Sequence, residues 1–238
     1  MYKKSLRILY EKYIIKYPVL KKLIVRLYKY KKIRNTIKKK ITGKNNTLKI
    51  NHAIFINVSI DIKGTNNKII VENGCVLKNV VFFIRGDNHT VYIKEDCIFS
   101  RGSLIWFEDN NGYLEIGEKT LIEDVHFAVT EPHSKIIIGK NCLFAYEIDI
   151  RTGDSHSIID KSSNKRINYA KDITIGDHVW LAAHCKILKG ASIAKNCVIG
   201  TSSVVSKPID IENSISAGNP AVIVKNNIDW RIERIYDK

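Results

Sequence analysis

The stretch from Arg151 to Asp172 contains the residues whose types are best suited to chemistry. Asp154 and His156 stand two positions apart, directly before residues 157–172, which follow no repeat. An imidazole has a pKa of about 6.5 and can accept or release a proton at neutral pH, and a nearby carboxylate can orient it. Functional residues concentrate on long excursions from rigid scaffolds, so we expect a site at this excursion.

The five cysteines are a second set of reactive groups, but their positions indicate packing. Each follows an aliphatic residue of the repeat described below by four positions, and the five are Cys75, Cys97, Cys142, Cys185 and Cys197. Cysteine at such a position behaves as a small buried hydrophobe. The sequence therefore predicts no disulfide, no metal site and no catalytic thiol. Free thiols used in packing are typical of a reducing compartment.

The element that must position these residues is a repeat of six. Aliphatic residues follow one another at this spacing from Ile175 to Ala217, at positions 175, 181, 187, 193, 199, 205, 211 and 217. A helix would repeat its apolar residues at three and four, and an exposed strand at two. A period of six predicts a coil with three flat sides, one inward residue on each side, and coils stacked about 4.8 Å apart.

The same period runs through residues 50–150, with a short turn after every third repeat. The predicted inward residues are Ile50, Ile56, Ile62, Val71, Leu77, Phe83, Ile93, Phe99, Ile105, Ile116, Ile122, Ala128, Ile138, Phe144 and Ile150. The turns are rich in Gly, Asn and Asp, and they lie at residues 64–67, 86–89, 109–112 and 131–134. Because they recur at the same corner, we expect them to stack as a ridge.

The excess charge is confined to the N-terminus. Residues 1–45 contain 16 Lys and Arg and one acid, which accounts for the whole net charge of +15. Apolar residues recur at three and four on both sides of Pro18, which predicts a broken amphipathic helix over residues 1–43. A basic, tyrosine-rich helix suits an anionic membrane surface, and it equally suits an arm that packs on a neighbouring subunit. Lysine-rich charge without a nucleic-acid module does not favour nucleic-acid binding.

The sequence thus divides into a basic arm at residues 1–45, a repeat domain at residues 46–225 with its extruded loop at 157–172, and a tail at residues 226–238. No run of 18 apolar residues and no secretory signal is present, so we expect a cytoplasmic protein, held at most on the inner face of the membrane. The tail is expected to cover the open end of the stack.

Several motifs resemble the hexapeptide-repeat acyltransferases, which fold as left-handed parallel β-helices. The motifs are Asp154–Asp160, Ile173–Trp180, Ile187–Gly190, Val198–Gly200 and Ala217–Ala221. They are most similar to the branch that O-acetylates sugars, including galactosides, maltose, capsules and O-antigens. The resemblance implies an all-β fold, acetyl-CoA as donor, a homotrimer with sites between neighbouring β-helices, and a saccharide acceptor, most of all a surface polysaccharide or its precursor.

The same resemblance assigns the catalytic groups. The family's catalytic histidine falls on His156, where an imidazole takes the proton of the acceptor hydroxyl. The main-chain N–H that stabilises the oxyanion falls on Ala183. Asp154 orients His156, contacts the sugar or caps the turn, and the sequence leaves these alternatives open. The resemblance further implies CoA contacts at Trp180, Ala183, Thr201, Ser206, Lys207 and Lys225.

Acceptor contacts are expected near the loop. His133 lies in the corner turn one coil before His156, and Arg151 and Glu147 lie on the coil that leads to it. Three other functions remain to be weighed: a zinc enzyme of the same fold, a non-enzymatic membrane-associated scaffold, and an N-acetyltransferase of an amino sugar. A zinc site needs three converging histidines, and the spacing of the seven histidines does not favour one.

Overall fold

The structure is a computed structural model and describes residues 36–236. These residues form a β-helix of short strands, nearly all parallel to the strands one coil above and below. In chain order the strands are β1 (Ile37–Thr42), β2 (Thr47–Ile50), β3 (Ile54–Ile56), β4 (Val58–Lys63), β5 (Lys68–Val71), β6 (Val76–Lys78), β7 (Val80–Arg85), β8 (Thr90–Ile93), β9 (Ile98–Phe107), β10 (Tyr113–Ile116), β11 (Leu121–Val129), β12 (Lys135–Ile138), β13 (Leu143–Phe144), β14 (Ile148–Arg151), β15 (Ile159–Asp160), β16 (Lys165–Arg166), β17 (Ile173–Ile175), β18 (Trp180–Leu181), β19 (Lys186–Ile187), β20 (Ser192–Ile193), β21 (Val198–Ile199), β22 (Val204–Val205), β23 (Ile215–Gly218) and β24 (Ala221–Lys225).

Three faces make up the coil. The first face consists of β2, β5, β8, β10, β12, β17 and β20. The second face runs through β3, β6, the start of β9 and of β11, β13, β18, β21 and β23, and the third through β1, β4, β7, the rest of β9 and of β11, β14, β19 and β22. The second and third faces are joined, because β9 and β11 continue around the corner between them.

A column of apolar side chains fills the interior. Pairing in register places Phe99, Ile122, Phe144, Leu181 and Ile199 above one another on the second face, and all are buried. Full burial of such a side chain contributes about 1.5–3 kcal/mol. The five cysteines are buried as well, and burial raises the pKa of the Cys142 thiol to about 12. The predicted packing role of the cysteines is therefore confirmed.

The corner turns stack as the sequence predicts. Asn67 links three coils: its N–H donates to Asn46 Oδ1 at 2.9 Å, its Oδ1 accepts from the His89 N–H at 2.9 Å, and its Nδ2 donates to the Gly86 carbonyl at 2.9 Å. His89 continues the ladder, because its Nδ1 accepts from the Gly112 N–H at 3.0 Å. These bonds satisfy the polar groups of turns that are otherwise too short to pair within themselves.

The inward register departs from the prediction at three residues. Phe55, Phe82 and Phe127 point into the core, one position before the predicted Ile56, Phe83 and Ala128. Each of these strands has apolar residues on both of its sides, so a period of two or six cannot decide which residue is inside.

The last coil departs from the prediction more strongly. Ile211 is 50% exposed, and Ile209 takes its place above Ile193. Ser216 then stacks on Ile199, so Ala217 is not the inward residue. The repeat ends here because Ile209 follows the inward Val205 by four residues instead of six, and the chain then reverses: β24 runs antiparallel to β23.

The two ends of the domain also differ from the predicted boundaries. Residues 37–42 form β1, which pairs in parallel with β4, so the prediction that the helical arm extends through residue 45 is wrong for this segment. Pairing with β1 satisfies the edge of β4, which would otherwise be open. The rest of the predicted arm lies outside the described residues. In the tail, Trp230 is buried, and its Nε1 donates to the His178 carbonyl at 2.8 Å.

Candidate active site

The loop that carries His156 leaves the corner between the third and first faces, directly after β14. It contains a small hairpin, in which β15 pairs antiparallel with β16. The carboxylate of Asp160 accepts hydrogen bonds from the main-chain N–H groups of Ser162 and Ser163, at 3.0 and 2.8 Å, and so closes the hairpin turn. The excursion predicted from the broken repeat is therefore present, and it has internal structure of its own.

Asn168 is the centre of the loop. It is buried, and its Nδ2 donates to the His156 carbonyl at 2.7 Å and to Asp154 Oδ2 at 2.9 Å. Its Oδ1 accepts from the Ile158 N–H at 2.7 Å. One amide side chain thus fixes the main chain on both sides of Ser157, while the side chain of His156 stays exposed.

Lys189 and Glu131 anchor the loop to the coils on either side of it. Lys189 Nζ donates to the carboxylate of Asp154 and, at 3.0 Å, to the Asn168 carbonyl. Glu131 pairs with Arg166 and accepts from the Ala170 N–H at 3.2 Å. Because the anchors come from the corner before the loop and the corner after it, the loop is tied to two coils.

Asp154 serves this anchoring. Partial burial alone would raise the pKa of its carboxyl, but the hydrogen bonds from Lys189 and Asn168 keep the pKa below its usual value of 3.8. The sequence left open whether Asp154 orients His156, contacts the sugar or caps the turn. In the structure its carboxylate contacts Lys189 and Asn168, the residues that hold the loop. The hydrogen bond between Asp154 and His156 joins their main chains, from the His156 N–H to the Asp154 carbonyl at 2.9 Å.

Ala183 lies at the corner between the second and third faces, one coil beyond the loop. Its carbonyl accepts from the Ser202 N–H at 2.9 Å and from Thr201 Oγ1 at 2.8 Å. Within residues 36–236 its own N–H has no hydrogen-bond acceptor. A main-chain donor that is fixed and uncommitted is what an oxyanion site requires.

Glu147 and His184 flank Ala183 at this corner. His184 Nδ1 lies 3.0 Å from Glu147 Oε2, and its ring makes an edge contact with Tyr146, with centroids 5.2 Å apart. The predicted acceptor residue Glu147 therefore lies beside the predicted oxyanion donor. It does not lie beside His156.

The other predicted residues are distributed over the surface. Trp180 is half-buried on the outer second face, with its ring 6.0 Å from that of Trp230. Ser206, Lys207 and Lys225 are exposed. Arg151 forms an ion pair with Asp149 at 2.7 Å. His133 is exposed and lines an open depression of about 560 Å³ together with Glu131 and Tyr169–Asp172.

One chain does not bring His156 and Ala183 together. They occupy opposite edges of the third face, and about five extended residues, on the order of 15 Å, separate the two corners. Among the described residues, no three His, Cys, Asp or Glu side chains are grouped so that they could hold a metal ion.

Sequence reasoning missed Asn168, Lys189 and Glu131. The last two could have been found, because they occupy the same corner as the loop in the adjacent coils. Nothing in the sequence singles out Asn168, since its role depends on how the loop folds back.

Comparison with known proteins agrees with this architecture. Residues 172–207 match the family model "bacterial transferase hexapeptide (six repeats)". A polysialic acid O-acetyltransferase of Neisseria meningitidis is 35% identical over 189 residues, which are 79% of this chain and 86% of that protein. A second polysialic acid O-acetyltransferase, of Escherichia coli O1:K1, is 36% identical over 115 residues, which are 48% of this chain and 37% of that protein.

A solved structure confirms the fold. The polysialic acid O-acetyltransferase OatWY superposes with a TM-score of 0.77 at 29% identity, and the alignment covers 85% of this chain and 94% of that one. The described residues thus form the left-handed β-helix expected from the hexapeptide motifs.

Proposed function

Because this chain belongs to the hexapeptide-repeat O-acetyltransferases, the family that includes these polysialic acid O-acetyltransferases, we propose that it transfers an acetyl group from acetyl-CoA to a hydroxyl of a polysaccharide. The observation that best supports the proposal is the way in which the structure holds His156. Its main chain is fixed by Asn168, a buried residue, while its imidazole remains exposed to an incoming substrate.

The proposed chemistry uses two groups of the chain. The imidazole of His156 takes the proton of the sugar hydroxyl as the oxygen attacks the thioester carbonyl. The N–H of Ala183 donates to the oxyanion that forms. As the C–S bond breaks, the imidazolium returns the proton to the leaving thiolate. The products are an acetyl ester and free CoA.

Two copies of the chain are needed for this chemistry. His156 and Ala183 lie on different corners of one chain, so the proposed site pairs the loop of one copy with the Ala183 corner of the next. Closed cyclic symmetry provides such heterologous contacts, and we propose a homotrimer, the assembly that the hexapeptide motifs imply. In this arrangement Glu147 and His184 also face the neighbouring copy's loop.

We assign the CoA contacts to the coils beyond the loop. Thr201 already bonds to the Ala183 carbonyl, and Ser206, Lys207 and Lys225 are exposed for the pantetheine arm and the phosphates. Trp180, braced by Trp230, lines the same side. On the acceptor side, His133 and Arg151 lie on either side of the loop's exit and are proposed to contact the sugar.

The experiment is acetyl-CoA turnover with the de-acetylated polysaccharide of the organism that produces the chain, read out as thiol release. Replacing His156 with Ala should lower kcat by about 10²–10⁴-fold, the usual contribution of a general base. His52→Asn is the matched control, since His52 is exposed, lies in the first full coil and has a positive φ that Asn tolerates.

Other outcomes would redirect the proposal. Full activity in the His156 variant would exclude the histidine as base. Consumption of an amino sugar instead of the polysaccharide would make the enzyme an N-acetyltransferase. Absence of any thiol release with a panel of saccharides would favour a scaffold.

We also propose that the basic segment before β1 holds the enzyme on the cytoplasmic face of an anionic membrane, near a long or lipid-linked acceptor. Each Lys or Arg near such a surface contributes about 1 kcal/mol. The described residues include no helix with the length and apolarity to span a bilayer. Deleting residues 1–35, which leaves β1 intact, should move the protein from the membrane fraction to the supernatant. Unchanged fractionation, or dissociation of the oligomer, would instead indicate an arm that packs between subunits.

A further inference from the structure

The C-terminal tail runs back along the β-helix from its last coil. The Ile228 N–H donates to the Asn213 carbonyl at 2.9 Å, and Asn213 Nδ2 donates to the Ile228 carbonyl at 3.2 Å, so Ile228 is held at that coil. Trp230 follows two residues later and is held by His178, two coils before Asn213. A tail that only covered the open end of the stack would stay on the last coil, so the position of Trp230 requires another explanation.

His178 fixes both the main chain and the ring of Trp230, which is 7% exposed. Trp230 Nε1 donates to the His178 carbonyl at 2.8 Å. His178 Nε2 lies 3.1 Å from the Trp230 carbonyl, which can only accept, so this nitrogen carries the imidazole proton. The two rings also meet edge to face, with centroids 4.2 Å apart. These three contacts together hold the indole of Trp230 in place.

The ring that is held in this way contacts Trp180 on the outer second face. The centroids of the two indoles are 6.0 Å apart, and their planes are inclined by 46°. Trp180 points outward, because the next residue, Leu181, is buried in the core and successive side chains of a strand alternate. Leu143 and Val198 occupy the same outward row, one coil before Trp180 and one coil after it. Trp180 thus has an apolar residue on either side along the row and Trp230 beside it, and it remains half-buried.

Trp180 lies near the proposed reacting atoms. Ala183 follows it by three residues on the same coil, which is about 10 Å of extended chain. The proposed oxyanion at the Ala183 N–H derives from the thioester carbonyl, so the acyl end of the pantetheine arm is the part of acetyl-CoA that lies nearest to Trp180. The nucleotide is expected further away, near Lys207 and Lys225.

We propose that Trp230 is a positioning residue for the acetyl donor: it holds the ring of Trp180 so that this ring presents a fixed apolar surface to the pantetheine arm. A side chain that is already fixed loses less conformational freedom when a ligand binds to it, so the affinity is higher. This inference rests on the proposed function, since it takes acetyl-CoA as the donor. It assigns to the tail a role in donor binding that the covering of an open end does not include.

The test measures the binding of two probes by isothermal titration calorimetry. One probe is CoA, and the other is adenosine 3′,5′-bisphosphate, which has the nucleotide of CoA but lacks the pantetheine arm. We expect Trp230→Ala to raise the Kd for CoA about fivefold, the usual scale for the ordering of one side chain, and to leave the Kd for the bisphosphate unchanged. In turnover, KM for acetyl-CoA should rise by the same factor, while kcat and KM for the polysaccharide stay the same.

Two further variants separate positioning from folding. Trp230→Phe keeps a ring against Trp180 but loses the bond to the His178 carbonyl, so its Kd for CoA should rise less than that of Trp230→Ala. Ile232→Ala is the matched control, because Ile232 belongs to the same tail and is 51% exposed. It should leave every constant unchanged.

The outcomes distinguish this inference from the proposed function. Equal affinity of the wild-type and Trp230→Ala proteins for CoA would overturn the inference and leave the proposed function intact. A parallel loss of affinity for CoA and the bisphosphate would also overturn it, because the tail would then support the coils in general. So would a change of oligomeric state on light scattering. Absence of CoA binding by the wild-type protein would refute the proposed function, and the inference with it.

Discussion

The coils before the loop and the coils after it differ in the length of their strands and in how their corners are held. Before the loop, the third-face strands β1, β4 and β7 have six residues each, and β9 and β11 continue from the second face onto the third over 10 and 9 residues. Corner turns there are braced by side-chain ladders. After the loop, strands β18 to β22 are two residues each, and the corners are bare turns. The long strands provide a broad outer surface, whereas the tight coils provide closely spaced corners, where main-chain groups such as the Ala183 N–H become available.

The largest expected effect distinguishes the two kinds of corner. Gly86 has a φ of 107°, and a Cβ there would lie 1.5 Å from the carbonyl oxygen of Asp109, so the backbone must move. We expect Gly86→Ala to destabilise the fold by about 3–5 kcal/mol, as strain and overpacking add. Gly190 in the tight region has a φ of 78°, but its nearest neighbour is the flexible side chain of Lys171 at 3.0 Å. Gly190→Ala should cost about 1–2 kcal/mol.

Urea denaturation of both variants measures the difference. Equal destabilisation by the two substitutions would mean that the braced and bare corners are equally tolerant, and the distinction between the regions would be lost.

An intermediate effect is expected at the junction of the two regions. Asn168→Ala removes the side chain that joins Asp154, His156 and Ile158, at about 1 kcal/mol for each hydrogen bond. The loop should become accessible to trypsin at Lys161 or Lys165, and kcat should fall at least tenfold while the global unfolding midpoint changes little. Asn164→Asp, at the exposed hairpin turn, is the control, because Asp tolerates the φ of 53° at this position. A variant that keeps both its activity and its protease resistance would show that Asn168 does not hold the loop.

The smallest effect is a pH dependence confined to the braced corners. Burial lowers the pKa of His89 below 6.5, although its contacts with the Arg85 and Asp109 carbonyls oppose this shift. Its Nδ1 accepts from the Gly112 N–H, so the neutral ring carries its proton on Nε2. A lowered pKa in the folded state means that this contribution to stability is complete above pH 6.5 and is lost as the pH falls through the lowered pKa.

We expect the free energy of unfolding to decline below pH 6.5, and the decline to be weaker in His89→Asn. Urea titrations at pH 7.5 and 5.5 provide the comparison. An identical slope in the variant would assign the pH dependence to other groups.

The fold could be predicted from sequence further than the site could. Strict sixes identified the inward residues from Ile175 to Val205, because no additional turn residues interrupt the count over these coils. Where neighbours were also apolar, as at Phe82 and Phe83, the period alone gave the wrong register. After Val205 the next inward residue is Ile209, four positions on instead of six, which no spacing rule anticipates.

In the site, the broken repeat and the family motifs located the loop and His156. The supports of the loop depend on contacts between residues far apart in the chain. Asp154 and Lys189 are 35 residues apart, and Glu131 and Arg166 are also 35 apart. Periodicity predicts whether a residue of a coil points inward or outward. It does not predict which residues of the coils a loop will contact.

The anchoring of the loop by Lys189 has a consequence for the order of assembly. The ribosome adds this lysine 33 residues after the histidine, and the coil that contains the lysine must pack on the stack before Asp154 and Asn168 can bind it. Catalytic competence should therefore arise late in synthesis. Nascent chains that end before that coil would contain His156 but not the hydrogen bonds from Lys189 that hold its loop.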